Sequence, residues 1–202
     1  MPIPSTLLFL PGASGDTGFW RPLADRLEAT ARREILAYPG FGGEPADPSI
    51  HDLDDLLERV LARIEGPTAL IAQSMGGVLA VRAALARPER VTHLVLCVSS
   101  GGLDMAALGA RDWRADFLAN NGHLPDWFVA SRGELGERLP AISQPSLLIW
   151  GDDDPYSPVA VGERLHGLLP DSTLHVVPGG RHDLARVHAA SLAPLVDAHL
   201  RR

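Results

Sequence analysis

The sequence predicts a doubly wound, mostly parallel α/β sheet of about six strands, with helices on both faces. Short runs of residues that are apolar almost throughout alternate with amphipathic segments. Apolar runs of this kind are typical of strands that helices cover on both sides, and the alternation favours a parallel sheet. We expect strands at 6–10, 34–38, 68–73, 93–98, 146–150 and 173–177, and helices at about 19–30, 49–65, 75–87, 158–169 and 183–200.

One interval, residues 103–144, interrupts this alternation. It contains no convincing strand, yet it holds four of the eleven aromatic residues. We therefore predict a small helical cap insertion over one edge of the sheet, inside a single domain that spans residues 1–202. An aromatic cluster above the sheet can also line an apolar pocket for substrate. The residues in question are Trp113, Phe117, Trp127 and Phe128.

The charged residues exclude several classes of function. The formal net charge is −7, which disfavours a nucleic-acid surface because phosphate binding needs a concentrated basic patch. All 18 basic residues are arginine, so Schiff-base chemistry and a phosphate-loop lysine are excluded. The eight histidines show no paired metal-ligand spacing, and we expect neither a metal nor a cofactor.

The cysteine content and the N-terminus bear on the cellular compartment. Cys97 is the single cysteine, so no disulfide can form within the chain, and its apolar surroundings predict a buried, inert thiol. The first 20 residues do not resemble a signal peptide, and no stretch reaches the roughly 20 apolar residues of a membrane span. We expect a cytoplasmic protein that acts on a small molecule; the pattern indicates no oligomeric state.

A candidate nucleophile lies in the stretch "IAQSMGGVLAV", where a strand turns sharply into a helix. Ser74 is at the apex of that turn, and the small residues Ala72 and Gly76 lie two positions to either side. This is the nucleophile-elbow pattern, in which a strained turn lifts a serine hydroxyl above the sheet at the N-terminus of a helix. Serine is also a frequent N-cap, but the Gln-Ser-Met-Gly-Gly context favours the elbow.

Two later strand ends carry the groups that a serine nucleophile needs. The strand at 146–150 is followed by "GDDDP" with three carboxylates, and the strand at 173–177 is followed by "PGGRHDL" with His182. A histidine base takes the serine proton, and an acid fixes the tautomer of that histidine. The carboxyl ends of parallel strands share one edge of the sheet, so these loops should converge. The order Ser–Asp–His along the chain agrees with this arrangement.

Together these motifs resemble the α/β-hydrolase family, and the resemblance runs nearly end to end. The matching runs are S-M-G-G-x-x-A-x-x-x-A-x-x-x-P-x-x-V over 74–91, G-x-x-D-x-x-x-P over 151–158 and G-G-x-H over 179–182. The resemblance implies a catalytic triad of Ser74, His182 and Asp154, the third carboxylate of its run. Ala72 departs from the usual glycine of the elbow, and the two opening strands of the family look absent.

The loop after the first strand, "PGASGDTG", has glycines at 12, 15 and 18, close to a dinucleotide-binding turn. That interpretation requires an acidic residue at the end of the second strand to bind a ribose, and the sequence there, "AYPGFGGE", offers none in place. The resemblance implies instead that this loop supplies one half of an oxyanion hole. The backbone N–H groups of Ala13 and Met75 would be the two donors.

The resemblance implies a cofactor-free serine hydrolase that acts on a carboxylic ester or thioester. Two alternatives remain open: a carbon–carbon lyase or hydrolase similar to the menaquinone-pathway synthases, and a non-catalytic ligand receptor on the same fold. His123 could face substrate, although a surface position is favoured. The insertion arginines 111, 114, 132 and 138 could bind an anion, but six acidic residues share the interval and favour a solvated surface.

Overall fold

A computed structural model describes residues 2–130 and 135–202 of the 202-residue chain. Its centre is a six-stranded sheet in which every pairing is parallel and the spatial order is β2-β1-β3-β4-β5-β6. The predicted fold class is confirmed. The strands are β1 (Thr6–Leu10), β2 (Arg32–Ile35), β3 (Thr68–Gln73), β4 (Val91–Cys97), β5 (Ser146–Gly151) and β6 (Ser172–Val177).

Helices connect the strands and cover both faces of the sheet. The described helices are α1 (Arg21–Ala24), α2 (Leu53–Leu61), α3 (Met75–Ala86), α4 (Arg114–Asn120), α5 (Val159–Leu168), α6 (Leu184–Val187) and α7 (Ala189–Leu200), with 3₁₀ turns at Thr17–Phe19, Ala106–Leu108, Trp127–Ala130 and Leu139–Ala141. Among the described residues, no helix is long and apolar enough to cross a membrane.

Burial follows the position of each strand in the sheet. Every residue of β1, β3, β4 and β5 is buried, which agrees with their apolar composition. The edge strands β2 and β6 are partly exposed. The prediction for β2 was wrong by two to three residues: the strand covers Arg32–Ile35 instead of 34–38. Beyond it the chain turns inward, and the buried Tyr38 hydroxyl donates a hydrogen bond to the Pro11 carbonyl at 3.1 Å.

Three predicted helices are shorter or interrupted, and side-chain hydrogen bonds to backbone N–H groups account for two of the differences. The predicted helix at 19–30 is a single turn, α1, because the Asp197 carboxylate accepts the N–H groups of Glu28 and Ala29 and holds them outside a helix. The helix α2 begins only at Leu53, because the Asp52 side chain caps it. The helix predicted at 183–200 divides at His188 into α6 and α7.

The strand order determines where a ligand can bind. The chain leaves β1 toward β2 on one side of the sheet and leaves β3 toward β4 on the other. The connections therefore diverge between β1 and β3, which opens a crevice at the carboxyl ends of these two strands. In open α/β sheets such a switch point is the usual ligand site. The loop after β1 and the beginning of α3 both lie there.

Far from that crevice, two buried histidines face each other between β4 and α7. The ring centroids of His93 and His199 are 5.4 Å apart, and Nε2 of His199 donates to the Leu94 carbonyl at 3.0 Å. Neither ring nitrogen of His93 has a hydrogen-bond partner among the described residues. Burial, the largest cause, lowers the pKa of each imidazole from 6.5 to about 4. Both rings are therefore neutral in the folded protein near pH 6.

These depressed pKa values predict that acid destabilises the fold. Below pH 6.5 the unfolded chain takes up protons that the folded chain excludes, so the free energy of unfolding falls as the pH drops from 6.5 toward 4. Urea denaturation at pH 7.5 and 5.5 measures this loss while carboxylates stay mostly ionised. We expect His93→Phe to lose less stability between these two pH values than the unmodified protein. Identical losses in the two proteins would contradict the assignment.

Candidate active site

Ser74 occupies a strained turn between β3 and α3. Its backbone dihedrals, φ 53° and ψ −119°, lie in a region that residues with a side chain seldom adopt. Hydrogen bonds hold the turn on both sides: the Ser74 N–H donates to the Cys97 carbonyl at 3.1 Å, and the Gly77 N–H donates to the Ser74 carbonyl at 3.0 Å. The serine therefore lies at the junction that the elbow pattern predicts.

Close packing explains the small residues around this turn. A methyl group on Gly76 would approach the carbonyl oxygens of Leu10 and Pro11 to 2.5 Å, well inside van der Waals contact. Ala72 is completely buried in β3, where it pairs with Leu10 and Leu96 of the neighbouring strands. Alanine at the first position of the elbow thus fits within a regular strand.

The predicted acid and the predicted base are in direct contact. Oδ2 of Asp154 lies 2.7 Å from Nδ1 of His182. The other carboxylate oxygen accepts the backbone N–H groups of Tyr156 at 2.9 Å and Ser157 at 3.3 Å. The Asp154 side chain is fully buried, whereas His182 is about one-third exposed. Asp154 is therefore held in one orientation, and the imidazole is left open on its far side.

The two neighbouring carboxylates of the "GDDDP" run bind the histidine loop at other points. Oδ1 of Asp152 accepts the Gly179 N–H at 2.6 Å, and Asp153 forms an ion pair with Arg181 at 2.8 Å. Each of the three consecutive aspartates thus has its own partner between residues 179 and 182. The loop after β5 and the loop after β6 are joined along their length, which sets the position of His182.

A cavity of about 510 Å³ opens above Ser74 at the carboxyl edge of the sheet. Ser74, His182, Ala13 and Met75 all line it. Among the described residues, no hydrogen bond joins the Ser74 hydroxyl to His182. Contacts between a nucleophile and its base are often long without substrate and tighten when substrate binds.

The residues that carry the two predicted oxyanion donors line the same cavity, Ala13 from the loop after β1 and Met75 from the start of α3. Met75 is the first residue of α3, so its N–H has no acceptor within the helix. Within residues 2–130 and 135–202, the Ala13 N–H likewise has no intramolecular acceptor. The N-terminal end of the twelve-residue α3 adds a partial positive charge beneath the Ser74 hydroxyl. Two free donors and a helix N-terminus can together stabilise a negatively charged oxygen.

Three of the four predicted pocket aromatics form one wall of the cavity. Trp113, Phe117 and Phe128 line it and contact one another, with Trp113 stacked parallel to Phe128 at 5.8 Å between ring centroids. The fourth, Trp127, is not among the residues that line the cavity. The Trp127 ring lies behind the wall, edge-on to Phe128 and to Phe41, which belongs to the segment after β2. Trp127 therefore attaches the insertion to the rest of the protein.

A polar cluster that the sequence analysis missed also lines the cavity. The Tyr156 hydroxyl donates to Asp116 at 2.9 Å, which raises the pKa of that tyrosine, and the Tyr156 ring lies edge-on to His182 at 6.0 Å. Arg111 forms an ion pair with the same Asp116 at 2.7 Å. Nothing in the sequence pattern placed Tyr156 beside α4, because this contact joins segments 40 residues apart.

The insertion arginines that reach the cavity are already paired. Arg111 binds Asp116, and Arg114 binds Asp112 at 3.0 Å. Arg132 lies outside the described residues. His123 is exposed and does not line the cavity.

These features define an α/β protein whose candidate site lies at a strained strand-to-helix turn. The sequence model of the alpha/beta hydrolase family matches residues 7–141, and that of the alpha/beta hydrolase fold matches residues 121–188. Because the first match covers more than half of the chain, this protein belongs to the alpha/beta hydrolase family.

Individual relatives include enzymes that are named for different activities. A 2-hydroxy-6-oxononadienedioate/2-hydroxy-6-oxononatrienedioate hydrolase from Burkholderia vietnamiensis is 29% identical over 95% of this chain and 84% of its own. A pimeloyl-[acyl-carrier protein] methyl ester esterase from Aliivibrio salmonicida is 30% identical over 48% of this chain and 36% of its own. A meta-cleavage product hydrolase from Pseudomonas fluorescens superposes with a TM-score of 0.76 at 19% identity, covering 97% and 90% of the two chains.

The packing at Gly76 yields a prediction with a matched control. Gly76→Ala should lower the stability by about 1–3 kcal/mol or more, because the added methyl overlaps two carbonyl oxygens. Gly167→Ala places the same methyl on α5 with no atom within 4 Å, and it should be neutral or stabilise by up to about 1 kcal/mol. Urea denaturation of both variants measures the difference. Equal stabilities would disprove the close packing of the elbow.

Proposed function

We propose that this protein is a serine hydrolase that cleaves a carboxylic ester or thioester through an acyl-enzyme. The observation that carries the proposal is the 2.7 Å contact between Asp154 and His182, because the imidazole of that pair opens into the cavity that Ser74 lines. A base with a buried acid behind it and a strained serine in front of it has little structural purpose other than proton transfer.

The reaction follows from this arrangement. The Ser74 hydroxyl attacks the substrate carbonyl while His182 removes its proton, and Asp154 stabilises the imidazolium that forms. The negative oxygen of the tetrahedral intermediate accepts hydrogen bonds from the N–H groups of Ala13 and Met75, each worth about 3 kcal/mol. His182 then protonates the leaving alcohol or thiol. Water, activated by the same imidazole, releases the acyl group in a second cycle. No cofactor or metal is required.

A second candidate is hydrolysis of a carbon–carbon bond, which the substrate named for the Burkholderia relative suggests. That substrate is named as a dioate and so carries two carboxylates. Among the described residues, the cavity arginines are already bound to Asp116 and Asp112, and Asp104 adds a third carboxylate to the lining. An excess of acidic groups disfavours a dianion. We therefore rank hydrolysis of a neutral ester above hydrolysis of a carbon–carbon bond in a dianionic substrate.

Turnover of two substrates separates the candidates. We expect the purified protein to hydrolyse 4-nitrophenyl butyrate faster than it cleaves a 2-hydroxy-6-oxo-dienedioate at equal concentration. Faster loss of the dienedioate would favour the carbon–carbon reaction. Absence of both reactions, together with binding of the ester, would favour the receptor alternative.

The roles of the triad are tested by labelling and substitution. A fluorophosphonate should label Ser74, and Ser74→Ala should abolish labelling and esterase activity. Asp154→Asn should lower kcat by about ten-thousandfold, because the imidazole then loses its partner and the correct tautomer. Asp104→Asn is the matched control: Asp104 also lines the cavity, but among residues 2–130 and 135–202 its carboxylate accepts only the Ala106 N–H, at 3.0 Å. If Asp154→Asn kept full activity and Asp104→Asn lost it, the catalytic acid would instead be Asp104, in the loop after β4.

The aromatic wall predicts a dependence on acyl length. Each added methylene contributes roughly 0.8 kcal/mol when buried, so kcat/KM should rise about three- to fourfold per carbon and level off once the wall is filled. Trp113→Ala should flatten this slope and spare short esters. Trp127→Ala removes an equal ring that does not line the cavity and should keep the slope. A flat profile in the unmodified protein would mean that the aromatics only pack the insertion.

A further inference from the structure

The backbone around Ser74 contains a second strained residue on the neighbouring strand. Among the described residues, the non-glycine residues with positive φ are Ser74, at 53°, and Val98, at 42°. Val98 follows the last residue of β4, which is adjacent to β3 in the sheet. A β-branched residue in this region is a rare and costly conformation that persists only where the surroundings enforce it. The two strained residues are therefore side by side at the carboxyl edge of the sheet.

Hydrogen bonds connect the two turns through Ser99. Val98 still donates its N–H to the Ile149 carbonyl of β5 at 3.1 Å, and the chain turns after it. The Ser99 hydroxyl then donates to the Ser74 carbonyl at 2.7 Å and accepts the Gly101 N–H at 3.1 Å. Ser99 is completely buried. A hydroxyl with both a donor and an acceptor partner has a single orientation, so it acts as a fixed support for the Ser74 carbonyl.

The packing of α3 makes room for this contact. A methyl group on Gly77 would overlap the Ser99 side chain. The two glycines after Met75 thus have different partners: Gly76 lies against the end of β1, and Gly77 lies against Ser99. The close approach of Ser99 therefore explains why residue 77 is a glycine.

The Ser74 carbonyl and the Met75 N–H belong to one peptide group. That group is planar and trans, so its oxygen and its hydrogen point in opposite directions. Hydrogen bonds that fix the direction of the Ser74 oxygen therefore also fix the direction of the Met75 N–H, and Met75 lines the cavity. A hydrogen bond to the carbonyl also polarises the peptide and strengthens its N–H as a donor.

We propose that Ser99 is a positioning residue for the oxyanion hole, acting on the Met75 N–H through the Ser74 carbonyl. The proposal rests on the proposed function, in which Met75 supplies one of the two oxyanion donors. Because the oxyanion exists only in the transition state and the intermediate, loss of Ser99 should lower kcat and leave KM nearly unchanged. The Gly77 N–H still holds the same carbonyl, so the loss should be smaller than removal of a donor.

The test compares Ser99→Ala with Ser146→Ala. Ser146 is also completely buried and also donates its hydroxyl to a backbone carbonyl, that of Gln144 at 3.0 Å, but it lies at the start of β5. Both variants should lose similar stability. We expect kcat for 4-nitrophenyl butyrate to fall about tenfold in Ser99→Ala, with KM within twofold, and the rate of fluorophosphonate labelling at saturation to fall in parallel. Ser146→Ala should keep the kcat of the unmodified protein.

A second substitution at Ser99 and three contradicting results complete the test. Ser99→Cys keeps a weaker donor on a slightly larger side chain, so its kcat should be intermediate, and it replaces Ser99→Ala if that variant fails to fold. An unchanged kcat in a folded Ser99 variant, or an equal fall in Ser146→Ala, would overturn the positioning role. Failure of the unmodified protein to be labelled at Ser74 would instead refute the proposed function.

Discussion

The conformation of a single peptide group, Ser74–Met75, is the constraint on which the rest of the site depends. It lies where the ends of β1, β3 and β4 meet, and all three strands contribute to holding it. The β1 end leaves room only for Gly76, and the β4 end supplies both the acceptor for the Ser74 N–H and the Ser99 hydroxyl. Backbone strain of this kind persists because buried neighbours on every side over-determine the turn.

The acid and the base are arranged by a different device. The loops after β5 and β6 are joined by two contacts that precede the Asp154–His182 pair along both loops, so the imidazole is positioned before any substrate arrives. A Cβ on Gly151 would overlap the Gly180 backbone, which shows how closely the two loops approach. The serine turn and the acid–base pair are thus built separately and meet at one cavity, whose remaining wall comes from the aromatic insertion.

The sequence predicted those features that follow from short-range pattern and strand topology. The small residues around Ser74 and the convergence of parallel strand ends were enough to place the serine, the carboxylates and His182 near one another. The contacts made by the insertion could not be predicted, because no periodicity in the sequence relates Trp127 to Phe41 or Tyr156 to Asp116. Helix ends were misplaced where a distant side chain intervened, as Asp197 does at Glu28. Ser99 belongs to no recognisable sequence motif, and only the structure reveals its hydrogen bond to the Ser74 carbonyl.

Rapid-quench mass spectrometry with a slowly turned-over ester tests the central claim most directly. Cleavage after Arg63 and Arg82 releases a peptide, residues 64–82, whose single serine is Ser74. The account predicts that this peptide gains the mass of the acyl group within the first turnover, and that His182→Ala greatly slows the gain. Ester turnover with no acyl group on this peptide, or with the acyl group on another peptide, would contradict it.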